Sequence, residues 1–70
     1  MQDRAGTVVA YDPDRGLGTV EADEGERFPF HCTVVAVRGE DPRVGARVVF
    51  RVVPGRLGRW EAGAVRDCSA

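Results

Sequence analysis

One histidine, two cysteines, ten arginines and eleven carboxylates are the groups in this chain that could do chemistry. The histidine and a cysteine are adjacent, as His31-Cys32, and the other thiol is Cys68. A structural zinc site needs four ligands, commonly supplied as closely spaced Cys or His pairs. Neighbours on a strand point to opposite faces, and no Cys-x-x-Cys or second histidine is present. No metal site is expected. Catalysis fares no better. No serine lies near His31 in sequence, and the carboxylates gather in "DPDRG" and "EADEGE", which read as turns rather than as a converging pair. Seventy residues also leave no length for a large cleft. The expectation is a non-enzyme with no cofactor and no small-molecule substrate. Gly16 and Gly18 in "RGLGTV" could imitate a phosphate cradle, but no helix follows to supply N-terminal amides. They read instead as a turn and a close backbone approach.

The elements that would position these groups are strands. The chain is 43% hydrophobic and 30% charged, which fits one small folded domain over 1–70 with an ordered core of about residues 5–66. Valine is abundant, and Gly or Pro interrupts each stretch before a helix could extend. Strands are expected over 5–11, 17–22, 27–32, 46–53 and 59–65, with "DPDRG", "DEGE" and "PGRLG" as turns. Thr33 to Val37 reads as one short helical turn that Thr33 could cap, and 38–45 as a loop. Five short antiparallel strands avoid exposed edges by curling into a barrel. Its core would hold Val8, Val20, Phe28, Phe30, Val48, Phe50 and Val52. Pro29 inside a strand has no N–H to donate, so its nitrogen must face an open edge or a bulge.

Bulk properties bound the partners. No apolar run approaches the ~18 residues of a membrane span, and "MQDRAGTVV" lacks the basic and apolar parts of a secretory signal. A cytoplasmic protein without membrane association is expected. Two cysteines are too few for a disulfide framework. A Cys32–Cys68 bridge could form, but two reduced thiols are the plainer reading. The net charge of −1 removes the usual basic signature of nucleic-acid binding. A local basic stripe can still act, and arginine, the only basic residue type present, both stacks and pairs with phosphate.

The motifs taken in order resemble the bacterial cold-shock domain. The matching residues are Gly6-Thr7-Val8, Tyr11-Asp12, Arg15-Gly16-Leu17-Gly18-Thr19-Val20 and Phe28-Pro29-Phe30-His31-Cys32. That family typically shows G-x-V-K-W-F-N, then K-G-F-G-F-I, then V-F-V-H-F. Gly45 with Val48, Phe50 and Val52 matches its fourth strand, Gly55 and Gly58 its last turn, and Ala62 the strand after it. The resemblance covers nearly the whole chain. It implies an all-β, five-stranded antiparallel barrel of the oligonucleotide/oligosaccharide-binding type. It also implies binding of single-stranded RNA or DNA by stacking bases on one face, and a role as a nucleic-acid chaperone or regulator of transcription or translation.

The departures fall where function would be. Five aromatic positions of the family pattern fall on Ala10, Leu17, Thr19, Pro29 and Cys32, and the lysine before the first falls on Val9. Phe28 and Phe30 fall on core-facing valines, and only His31 keeps its type on the stacking face. Each base–aromatic stack is worth ~1–3 kcal/mol. A discounted loss of ~3–5 kcal/mol weakens binding by roughly two to four orders of magnitude. The residues expected to carry what remains are Arg15, Leu17, Thr19 and His31, with Tyr11, Arg56, Arg59 and Trp60 in support. Arg27 could add to a basic rim. Tyr11 and Trp60 each divide between core packing and the ligand edge. The alternative is a barrel that uses Val9, Ala10, Leu17, Thr19 and Pro29 as an apolar patch for a protein partner.

Overall fold

The computed structural model describes residues 3–36, 43–55 and 58–67. β1 spans Arg4–Asp12, β2 Leu17–Ala22 and β3 Arg27–His31. A 3-10 turn over Cys32–Val34 leads into the two-residue β4, Val35–Ala36. β5 is Arg47–Pro54 and β6 is Trp60–Asp67. They form one sheet in the order β3-β2-β1-β5-β6-β4.

Local chemistry explains the turns. Between β1 and β2, the Asp14 N–H donates to Asp12 Oδ1 at 3.0 Å and the Gly16 N–H donates to the Asp12 carbonyl at 2.9 Å. Pro13 presets the turn, and Gly16 ends it at φ 66°, a region that favours glycine. Between β2 and β3, the Gly25 N–H donates to the Ala22 carbonyl at 2.8 Å.

The core lies on the inner face of the curved sheet. Val8, Val20, Ala22, Phe28, Phe30, Val48, Phe50, Ala62 and Val65 are buried. Phe28 and Phe50 meet at 5.8 Å with their planes tilted by 52°, an arrangement worth ~0.5–1.5 kcal/mol beyond the area it buries. Val52 is only half-buried at the edge of this cluster rather than inside it.

Two bulges set which side chains face outward. In β1, Val8 pairs with Val20 and Ala10 with Thr19, so Val9 is the extra residue. In β6, Gly63 pairs with Arg51 and Arg66 with Val49, so Ala64 and Val65 together oppose Phe50. Ala64 takes a positive φ of 49° there, and the break in alternation turns Val65 into the core.

Several expectations are corrected. β3 ends at His31 rather than Cys32, and β1, β5 and β6 are each offset or extended at their ends. Thr33 lies inside the 3-10 turn, not at a cap, because the chain turns one residue earlier than expected. β4 adds a short parallel pairing, Val35 with Val65 and Ala36 with Arg66. Such a pairing joins residues far apart in sequence and leaves no local signal. The expected 38–45 loop falls largely outside the described residues, as does part of the "PGRLG" turn.

Candidate nucleic-acid interface

The outer face of β1, β2 and β3 is built from cross-strand rows. Thr19 pairs with Ala10 on one side and Pro29 on the other; Leu17 pairs with Asp12 and His31. Hydrogen bonds fix the character of these rows. The Cys32 N–H donates to the Gly16 carbonyl and the Ala22 N–H to the Glu26 carbonyl, each at 2.7 Å. In an antiparallel ladder, bonded and non-bonded pairs alternate. The Gly18–Phe30 and Val20–Phe28 pairs are therefore the bonded ones. Thr19–Pro29 and Leu17–His31 are the non-bonded ones, where side chains approach most closely. The same alternation turns the Pro29 nitrogen away from β2 toward the outer edge of β3, where no N–H is required.

Gly18 separates two rings. It pairs with Tyr11 in β1 and Phe30 in β3, and the two rings lie parallel within 4°, with centroids 6.1 Å apart. A Cβ on Gly18 would overlap the Phe30 ring and approach the Ala10 carbonyl. Close approach, not phosphate binding, accounts for this glycine. Tyr11 therefore packs against the core and is half-buried, reaching the outer groove only as part of its wall.

His31 is oriented by its own chain. The backbone N–H of Thr33 donates to His31 Nδ1 at 3.2 Å, and Thr33 Oγ1 lies 3.0 Å from the same nitrogen. A backbone N–H can only donate, so Nδ1 accepts in this geometry and Nε2 carries the proton of the neutral ring. The exposed imidazole stands beside Leu17, which is 47% exposed. Two shallow grooves flank this pair. One, of about 400 Å³, is lined by Ala10, Tyr11, Leu17, Thr19 and Pro29 among others. The other, of about 390 Å³, runs between β3 and β6 and is lined by Leu17, Pro29, Phe30, His31 and Glu61.

Charge near this face is largely cancelled. Arg27 Nε bonds Glu21 Oε2 at 2.9 Å, which removes it as a free rim cation. Arg15 is held more loosely, its Nε 3.8 Å from Asp12 Oδ2 and its side chain 78% exposed. Glu61 adds an acidic residue to the lining of the His31 groove that no pattern in the sequence pointed to, since it reaches this groove from a strand distant in sequence.

The structure thus gathers Leu17, Thr19 and His31 on one surface, places Arg15 in the adjoining turn and leaves Tyr11 on the core side. Arg59 is exposed just before β6. Arg56 lies outside the described residues, as does Cys68, so the Cys32–Cys68 bridge does too. Cys32 is free and half-buried, its sulfur packed under Gly16. Trp60 does not join the Leu17–His31 face. It is 59% exposed and lines a separate groove with Arg4, Glu26, Phe28, Val52 and Pro54. Among the described residues no group of three or more His, Cys, Asp or Glu gathers as a metal site, and no helix is long and apolar enough to cross a membrane.

Apart from the two-residue β4, the five longer strands have the antiparallel barrel fold of the oligonucleotide/oligosaccharide-binding, cold-shock type, with β3 packed against β6 at a seam that carries no ladder among the described residues. A solved structure of Drosophila Unr, CSD456, superposes with a TM-score of 0.77 at 22% sequence identity, over 94% of this chain and 26% of that one. The chain spans about a quarter of the length of that neighbour. No protein-family model and no curated protein matches the sequence.

Proposed function

We propose that the domain is a divergent relative of the bacterial cold-shock family that binds single-stranded RNA or DNA weakly and with little sequence preference. The binding surface is the outer face of β1–β3. The observation that carries this reading is the His31–Leu17 pair: an imidazole fixed by Thr33, side by side with an exposed aliphatic chain, between two base-sized grooves. The ring offers a stacking face and its Nε2 a donor to a base edge; Leu17, Thr19, Pro29 and Ala10 supply apolar contact. Arg15, exposed in the turn that adjoins this face, supplies a cation for phosphate. The cold-shock-type fold supports the same reading, and a cytoplasmic, non-enzymatic role as a chaperone or regulator accords with it.

Because Arg27 is already paired, phosphate contacts are few. We expect a log–log dependence of affinity on salt with a slope of only about −1, near what one or two phosphate contacts give on a single strand. Anisotropy of a labelled pyrimidine-rich oligonucleotide, single-stranded and as a duplex, over a salt series tests this. Single-strand preference with a shallow slope supports the proposal. Equal binding of the duplex, or no binding of either, overturns it.

The cancelled charge also favours a second reading, in which Val9, Ala10, Leu17, Thr19 and Pro29 form an apolar patch for a protein partner. Absence of any oligonucleotide binding in the same assay would leave that reading standing.

A further inference from the structure

The groove beside Trp60 is a second surface, and it shares no lining residue with the two grooves of the His31 face. It is about 510 Å³ and is walled by Phe28, Val52, Pro54 and the exposed indole of Trp60, with Arg4 and Glu26 at its rim. Trp60 precedes Glu61, which lines the His31 groove, so the two neighbours in β6 serve different surfaces.

Arg4 and the two carboxylates it serves, Glu26 at the rim and Glu24 beside it, form a cluster with one negative charge more than positive. One guanidinium, Arg4, serves two carboxylates: its Nη2 donates to Glu24 Oε1 at 2.9 Å and to Glu26 Oε1 at 2.8 Å. Both carboxylates are largely exposed, and the Glu26 carboxylate accepts from no second group among the described residues. Glu26 therefore keeps an acceptor oxygen at the groove mouth. The same Arg4 guanidinium sits 5.4 Å over the Phe28 ring. The groove already holds one instance of a guanidinium laid on an aromatic face and tied to carboxylates. Trp60 and the unengaged oxygen of Glu26 offer room for a second.

We propose that this groove binds an extended, arginine-bearing, apolar peptide segment of a partner protein. An arginine of the partner would stack on the Trp60 indole, the strongest of the aromatic faces for a cation, and its guanidinium would reach the Glu26 carboxylate. Apolar residues next to it would cover Val52 and Pro54. The exposed carboxylates of Glu24 and Glu26 disfavour a phosphate beside them. The domain would then carry a protein on one surface and a nucleic-acid strand on another. This inference does not depend on the strand-binding reading.

The test uses the whole chain and an arginine–proline–leucine repeat peptide, with a glutamate–proline–leucine repeat as control. Backbone amides of Glu26, Phe28 and Val52 and the Trp60 indole N–H are followed by NMR. The arginine peptide should shift them saturably below about 1 mM, and the glutamate peptide should not. Glu26→Gln should weaken binding by about fivefold, and Trp60→Leu by about tenfold or more. Both side chains are exposed, so both variants should fold as the parent does, which far-UV circular dichroism checks. The proposal is overturned if the arginine peptide gives no saturable shift up to about 5 mM, or if the glutamate peptide binds as well. It is also overturned if an oligonucleotide moves these same resonances and the peptide does not, which would assign the groove to nucleic acid. Shifts at Leu17 and His31, recorded in the same spectra, report separately on the other surface.

Discussion

Leu17→Phe puts a ring at the centre of the outer face, and the structure fixes what it should gain. Leu17 lines both grooves that flank His31 and is the cross-strand partner of His31 in a non-bonded pair. A phenyl ring there stands beside the imidazole and extends one stacking platform across β2 and β3. A full base–aromatic stack is worth ~1–3 kcal/mol, and the leucine, already 47% exposed to a ligand, supplies part of that. The net gain is about 1–2 kcal/mol, roughly five- to thirtyfold in Kd. The site is exposed and β-compatible, so stability should change by no more than about 0.5 kcal/mol. The assay is anisotropy of a labelled oligonucleotide at fixed salt, with urea denaturation alongside. Val44→Phe is the control, because Val44 is 63% exposed but lines neither groove. A folded Leu17→Phe variant that binds no more tightly, or a Val44→Phe variant that gains as much, would show that Leu17 does not sit in a stacking site.

Other expectations follow from the same contacts. Gly18→Ala drives a methyl into the Phe30 ring and should cost about 2–3 kcal/mol in urea unfolding, because the obstacle is a buried ring between strands. Ala64→Gly should stabilise the domain by about 0.5–1 kcal/mol, as glycine accepts the positive φ at the β6 bulge without strain and gives back part of that gain through its freer unfolded chain. Acid should unfold the domain progressively. Hydrogen bonds from Arg66 and Arg51 to Asp3, from Arg47 to Asp23 and from Arg4 to Glu24 hold these carboxyls below their ordinary values. Their contribution is present above the ordinary carboxylate range near pH 4 and is lost as pH falls through the lower folded values. A Tm series from about pH 5 to pH 2 should show this loss, and added salt should shrink it, because all these pairs are exposed.

The sequence revealed most where the signal was local. Alternation placed Phe28 and Phe30 inward and His31 outward, and the glycine, proline and aspartate positions marked the turns. Three buried residues were not legible. Val65 faces inward only because the bulge at Ala64 breaks the two-residue period, and Ala22 and Ala62 are too small to announce a core position. The arginines were equally opaque. Arg4 meets Glu24 twenty residues away and Arg66 meets Asp3 at the other end of the chain, so only the register across the sheet shows which cations are already paired. The separation of Trp60 from the His31 face has the same origin: it rests on β3 closing against β6, which is not visible in a stretch of residues.

The most direct test of strand binding by the outer face is an amide shift map of the unmodified chain titrated with an unlabelled single-stranded oligonucleotide. Shifts should concentrate at Ala10, Leu17, Thr19 and His31 and diminish in His31→Ala, with Val52 and the Trp60 indole unmoved. Shifts absent from Leu17 and His31 at millimolar oligonucleotide, or centred on Trp60, would rule out strand binding by this face.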